Sequence, residues 1–104
     1  AVDLDDETLE GMAKRGVFYV PTIDHNRYYS DIAPEQKTWP AGVQGAFQQF
    51  IARNVETARR AHRKGVRLAM GSDAVNSMFG QNTRELTWMV KAGLTPEQAL
   101  ATAA

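Results

Sequence analysis

Asp73 is the residue whose type and position in this sequence most clearly suggest chemistry. It lies in the stretch GVRLAMGSDA, residues 65–74, where an apolar run typical of a buried strand ends at Gly71-Ser72. A carboxylate at a strand end could hold a divalent cation, or take a proton from water that the cation acidifies. Aspartate after Gly-Ser is equally typical of turns and helix caps, where it accepts backbone N–H bonds. The pattern of residues alone leaves both interpretations open.

A second set of polar side chains follows the other predicted strand, in the segment DHNRYY at 24–29. His25, Arg27 and Tyr28 could orient a substrate, and a guanidinium such as that of Arg27 suits bidentate contact with a carboxylate. The alternative is an exposed polar loop with local aromatic packing. Asn82 could also line the pocket, or it could cap the helix that follows in a capping box with Glu85.

The elements that must position these residues alternate between helix and strand. The apolar spacing predicts helices at 5–15, 43–64, 83–92 and from 95 onward, and strands at 17–22 and 66–71. Residues 23–42 contain two prolines and show no clear period, so we expect a long irregular loop there. This alternation predicts an α/β fold with parallel strands.

An internal repeat strengthens the prediction of parallel strands. AKRGVFYV and HRKGVRLA place a helix end, Gly, Val and a strand in the same order, with Gly16 and Gly65 as equivalent positions. Two strands alone cannot form a buried parallel sheet, because such strands need neighbours at both edges. The repeat therefore predicts a larger barrel or open sheet to which this chain contributes two strands.

Composition excludes several classes of function. The chain has 104 residues, enough for one small domain, and its 12 basic and 12 acidic residues cancel, which argues against a nucleic-acid or membrane partner. Without cysteine there is neither a disulfide framework nor a thiolate metal site. The chain starts without methionine and stops inside a helical pattern, which indicates a gene fragment or a trimmed piece. The compartment, cytoplasmic or exported, stays open.

The sequence of nearly the whole chain resembles that of one enzyme superfamily. GVRLAMGSDA, followed by GQNTRELTWMVKAGLTPEQALATAA at 80–104, resembles the last barrel strand and following helices of the metal-dependent amidohydrolases, nearest the imidazolonepropionase-like and Xaa-Pro dipeptidase-like branches. LDDETLEGMAKRGVFYVPT at 4–22 is similar to the segment that joins their sixth and seventh strands. The resemblance implies that residues 1–104 are a C-terminal fragment of a (β/α)8 TIM-like barrel, its seventh and eighth strand units.

The resemblance also implies a function. Members cleave C–N bonds, so the expected substrate is a small-molecule or peptide-like amide, including dipeptides. The expected cofactor is one or two divalent metal ions, with zinc as the expected metal. The family's ligands are an HxH pair, often a carboxylated lysine, two histidines and a final aspartate. Only the aspartate has a counterpart here, Asp73, which would be metal ligand and general acid/base. Full-length members can form homo-oligomers.

The resemblance has limits that keep other readings open. Many relatives carry His-Gly where this chain has Phe79-Gly80, which affects the substrate pocket rather than the metal ligands. With one ligand, the isolated chain is expected to be inactive. The alternatives are a non-enzymatic α/β module, an inactive remnant, or an open sheet that binds phosphate at Gly71-Ser72, although a glycine-rich phosphate loop is lacking.

Overall fold

The structure, a computed structural model, describes residues 2–31 and 38–104. It has the mixed α/β character that the sequence predicts, and within the described residues it combines helices with a sheet of two strands. The elements in chain order are α1 Asp6–Arg15, β1 Phe18–Tyr19, α2 Ile23–Asp31, α3 Ala41–Arg63, β2 Arg67–Leu68, α4 Arg84–Lys91 and α5 Pro96–Ala101, with a 3-10 turn at Asn76–Met78.

The two strands are parallel, as the internal repeat predicts. Phe18 pairs with Arg67 and Tyr19 with Leu68, so each residue faces the one 49 positions later, the same offset that separates the two glycines of the repeat. Both strands are shorter than the predicted 17–22 and 66–71. Pro21 has no N–H to donate, which limits how far β1 can extend the ladder.

Two helices are capped by residues next to them in the sequence. Asp5 caps α1 by accepting the Thr8 N–H at 2.8 Å, and Gly16 ends that helix in the left-handed region at φ 66°. Thr95 caps α5 in a capping box, in which its hydroxyl accepts the Gln98 N–H while the Gln98 side chain accepts the Thr95 N–H. These caps are local, so short sequence patterns are enough to predict them.

The core lies on one face of the sheet. Tyr19 and Leu68 are buried there, whereas their neighbours Phe18 and Arg67 are exposed, as the alternation of side chains along a strand requires. The long helix α3 and the shorter helices cover the buried face. The core consists of Leu9, Tyr19, Ile23, Ile51, Ala58, Ala61, Val66, Leu68, Met89, Ala92, Leu94 and Ala99.

The expected irregular loop at 23–42 is wrong for its first part. Residues 23–31 form helix α2, and the loop prediction for 32–37 falls outside the described residues. The helix escapes sequence analysis because its first turn is capped from far away: the Glu85 carboxylate accepts the backbone N–H groups of Ile23 and Asp24. A cap from a residue more than 60 positions away cannot be recognised in the sequence around the helix start.

The predicted start of α4 also needs correction. The helix begins at Arg84, with Thr83 preceding it and without a side-chain cap, and Asn82 lies exposed in the turn before it. The capping box of Asn82 and Glu85 is therefore wrong, because the Glu85 side chain is engaged with α2. None of the helices in 2–31 and 38–104 is long and apolar enough to cross a membrane.

Candidate functional site

The carboxyl end of the sheet, residues 20–25 and 69–75, is tightly packed and strained. A Cβ on Gly71 would lie 2.5 Å from Cγ1 of Val20, so only glycine lets the two strand ends come this close. Thr22 and Asp73, one after each strand, both have positive φ, 48° and 45°. Non-glycine residues rarely adopt this conformation, and such strain is concentrated at functional sites.

His25 and Asp73, both predicted as site residues, meet at this end. The Nδ1 atom of His25 lies 2.7 Å from the Asp73 carbonyl oxygen, and 3.6 Å from Oδ2 of the same residue. A carbonyl can only accept a hydrogen bond, so Nδ1 is the donor, and in the neutral imidazole Nε2 then has the lone pair. The His25 side chain is 19% exposed and that of Asp73 is 63% exposed, so the carboxylate faces solvent beside the imidazole.

Glu85 fixes the start of the helix that carries His25. Its Oε1 accepts the Ile23 N–H and its Oε2 the Asp24 N–H, each at 2.8 Å, and the residue is completely buried. Burial raises the pKa of Glu85 to about 7, although both backbone hydrogen bonds act in the opposite direction. The neighbouring Asp24 carboxylate raises it further.

Asp24 forms a second buried polar centre in the same turn. Its Oδ1 accepts Nε and Nη2 of Arg27, at 3.1 and 2.9 Å, and Nε1 of Trp88 at 2.9 Å. Nε of Arg84 lies 3.4 Å from Oδ2. These contacts tie α2 to α4, so the segment after β1 is held by charged and polar groups rather than by apolar packing alone.

The other predicted site residues lie in different surroundings. Arg27 is buried and bonded to Asp24 within its own helix, an arrangement that favours an internal ion pair over the predicted contact with a substrate. Tyr28 is also buried and packs with Met78, beyond the Asp73 turn. Asn82 is exposed. Thus the structure brings His25 to Asp73, while Arg27 and Tyr28 face inward.

Sequence analysis missed three buried polar residues that hold this end together: Asp24, Asn54 and Glu85. Asn54, on α3, accepts the Asn26 amide at 2.6 Å and donates to the Pro21 carbonyl at 3.4 Å. A signal existed for two of them. Asn54 and Glu85 occupy positions on the apolar stripe of their helices, where a polar side chain must find a buried partner.

A complete metal centre is not formed by the described part of the chain. Among residues 2–31 and 38–104, no three His, Asp or Glu side chains are grouped as a metal site would need. The exposed carboxylate of Asp73 fits the role of a single oxygen ligand. The remaining ligands of a divalent ion would have to come from elsewhere.

Comparison with known proteins finds similarity among solved structures. The chain matches no protein-family model and none of the curated proteins. Among solved structures, it is similar to the crystal structure of a Xaa-Pro dipeptidase with bound methionine in the active site, with a TM-score of 0.78 and 29% sequence identity. The match covers 97% of this chain and 25% of that chain, so this chain spans about a quarter of the length of the dipeptidase. The likeness indicates hydrolase ancestry.

Proposed function

We propose that this chain is part of a metal-dependent hydrolase that cleaves C–N bonds of peptide-like substrates at the carboxyl end of its sheet. One observation carries the proposal: the Asp73 carboxylate lies exposed beside the His25 imidazole, at the strained end of parallel strands, in a chain similar to a quarter of a Xaa-Pro dipeptidase. Reactive groups of α/β barrels sit at this end of the strands.

The barrel itself belongs to the proposal. Phe18 and Val20 are 55% and 43% exposed, on the sheet face opposite the buried Tyr19. In a (β/α)8 barrel, the inner face of each strand packs against the other strands. If the seventh and eighth units were separated from the rest, their two parallel strands would have an apolar, uncovered face of this kind. The structure of residues 2–31 and 38–104 is compatible with that arrangement.

Asp73 and His25 take different roles in the proposed reaction. The Asp73 carboxylate would be a ligand for a divalent ion, proposed to be zinc, and the group that accepts a proton from the attacking water and passes it to the leaving nitrogen. The metal, when bound, supplies electrophilic activation and makes water more acidic. His25 engages Nδ1 with the Asp73 carbonyl, so its contact with the substrate would be made through Nε2.

The expected substrate is a dipeptide-type amide. The dipeptidase that this chain resembles holds methionine in its active site, which supports a substrate with a free amino-acid end. Arg27 is the predicted partner of a substrate carboxylate, but its two bonds to Asp24 make His25 the better candidate for direct contact. Tyr28 and Asn82 remain predictions.

The test is to express the complete reading frame that contains residues 1–104 and to measure dipeptide hydrolysis. The protein would be stripped with a chelator and assayed with and without added Zn²⁺, Mn²⁺ or Co²⁺ against dipeptides and simple amides. We expect hydrolysis that disappears on stripping and returns with metal. Activity that survives chelation unchanged, or no turnover with any metal, would contradict the proposal.

A further inference from the structure

Glu85 connects two distant parts of the chain in a way that the proposed reaction does not itself require. It lies on α4, 62 residues after the Ile23 amide that it binds, and it is completely buried. Every described buried polar side-chain atom has a hydrogen-bond partner, so this contact is not a packing defect. Burying a carboxylate lowers stability unless its oxygens accept hydrogen bonds, as both oxygens of Glu85 do.

The contact determines where α2 starts. The first backbone N–H groups of a helix have no partner within the helix, and an acceptor must be supplied. Here both oxygens of one carboxylate accept two consecutive amides, which fixes the height and the rotation of the first turn. When Glu85 is ionised, its charge also interacts favourably with the helix dipole, but the cost of burial is larger and raises its pKa.

His25 directly follows the two capped residues. Its imidazole reaches the carbonyl of Asp73 from the third position of α2, at 2.7 Å, so a small rotation of the first turn would break that bond. Asp24 contributes its own contacts to Trp88 and Arg84, both from α4, and these reinforce the same placement. The helix that carries Glu85 therefore holds the helix that carries His25.

We infer that Glu85 is a positioning residue: its carboxylate aligns the first turn of α2 so that His25 donates Nδ1–H to Asp73 and presents a lone pair on Nε2. The importance of that lone pair for hydrolysis rests on the proposed function; the alignment itself does not.

The tautomer of His25 gives a direct readout. The chain has two histidines, and two-dimensional ¹H–¹⁵N correlation of the imidazoles reports which ring nitrogen of each carries the proton. The 104-residue chain would be compared with Glu85→Gln and Glu85→Ala at one fixed pH. His62, at the end of α3, is the internal reference.

We expect His25 of the unmodified chain to be predominantly the Nδ1–H tautomer. In Glu85→Ala, both amides lose their acceptor, so His25 should shift to predominantly Nε2–H while His62 is unchanged. Glu85→Gln keeps one good acceptor and should lie between the two. Amide hydrogen exchange at Ile23 and Asp24 should accelerate by at least about tenfold in Glu85→Ala, since both N–H groups lose their buried partner.

A matched control separates positioning from general loss of stability. Leu9→Ala removes a fully buried core side chain from α1 and should lower stability without changing the His25 tautomer. Should Glu85→Ala fail to fold, Glu85→Gln carries the test. The inference is overturned if His25 keeps Nδ1–H without the Glu85 carboxylate, if Leu9→Ala shifts the tautomer equally, or if the unmodified chain already has Nε2–H. None of these readouts needs metal or substrate, so failure of the hydrolase assay would leave them standing.

Discussion

The two ends of the sheet both have residues with positive φ, but the residue types differ. At the amino end, where helices lead into strands, the left-handed positions are Gly16 and Gly65, with φ 66° and 81°. At the carboxyl end the corresponding positions are Thr22 and Asp73. Glycine adopts this conformation without strain, whereas a side chain there costs energy. Side chains kept at strained positions indicate that the carboxyl end serves more than the turn itself.

The acidic residues at the two ends also differ, because they are exposed at one end and buried at the other. At the amino end, α1 and α3 are joined by Asp6–Arg60 and Glu10–Lys64, with carboxylates that are 64% and 59% exposed. At the carboxyl end, Asp24 and Glu85 are buried. Exposed pairs contribute little to stability, while buried ones are costly to disrupt. Substitutions at the two ends should therefore differ strongly.

The largest difference is expected between Asp24→Ala and Asp6→Ala. Removing Asp24 leaves the buried Arg27 guanidinium and the Trp88 indole N–H without their acceptor, which should lower the free energy of unfolding by about 3–5 kcal/mol. Asp6→Ala should change it by less than about 1 kcal/mol. Urea denaturation followed by circular dichroism measures both. Equal effects would mean that the two ends do not differ as described.

The pH dependence of stability should be dominated by the carboxyl end. The pKa of Glu85 is about 7 in the folded chain against 4.5 for an unperturbed carboxyl, so the folded state binds this proton more tightly. Its contribution to stability is complete below the lower value and is lost as pH rises through the higher one, by up to about 3 kcal/mol. Urea midpoints across this range should fall with pH in the unmodified chain and fall less in Glu85→Gln. Parallel profiles would contradict the assignment.

Gly71→Ala tests the close approach of the strand ends. The added methyl would meet Val20 at 2.5 Å, and relieving that contact should cost about 1–2 kcal/mol of unfolding free energy. The control, Gly71→Ala combined with Val20→Ala, should recover much of the loss, because it removes Cγ1 of Val20, the atom that the added methyl would meet. If the double variant is no better than Gly71→Ala alone, the contact is not the cause.

The smallest predicted effect has the opposite sign. Asp73→Gly should raise the free energy of unfolding by about 0.5–1 kcal/mol, since glycine adopts a φ of 45° readily and the backbone carbonyl that His25 binds is retained. Asp73→Asn, which keeps a side chain at this φ, is the control and should give little change. A destabilised Asp73→Gly variant would argue against strain at this position.

Sequence analysis succeeded where structure is determined locally. The glycine after α1, the start of α5 at Thr95 and the parallel pairing of β1 with β2 were predicted, because a few adjacent residues or one internal repeat specify them. Asp73 was singled out for the same reason, as a carboxylate directly after a strand. Its role as metal ligand remains a proposal.

The failures share a different cause. Helix α2 was predicted to be a loop because its cap comes from Glu85, far along the chain. Glu85 was predicted to cap the start of α4, whereas its partners are at the start of α2, 61 and 62 residues earlier. Arg27 looked like a substrate ligand because the sequence cannot show that Asp24 occupies it. A polar residue on an apolar helix stripe shows that a buried partner exists but not which residue it is, so both the helix and its cap were missed together.

The most direct measurement compares Asp73→Asn with Asp6→Asn in the complete reading frame, assayed with metal against its best dipeptide substrate. Both changes replace one exposed aspartate with its amide, one at each end of the sheet. We predict that Asp73→Asn lowers kcat/KM by about 10³-fold or more, the scale of a lost general acid/base, while Asp6→Asn leaves it unchanged. Full activity of Asp73→Asn would contradict the claim that the carboxyl end of this sheet is the reactive one.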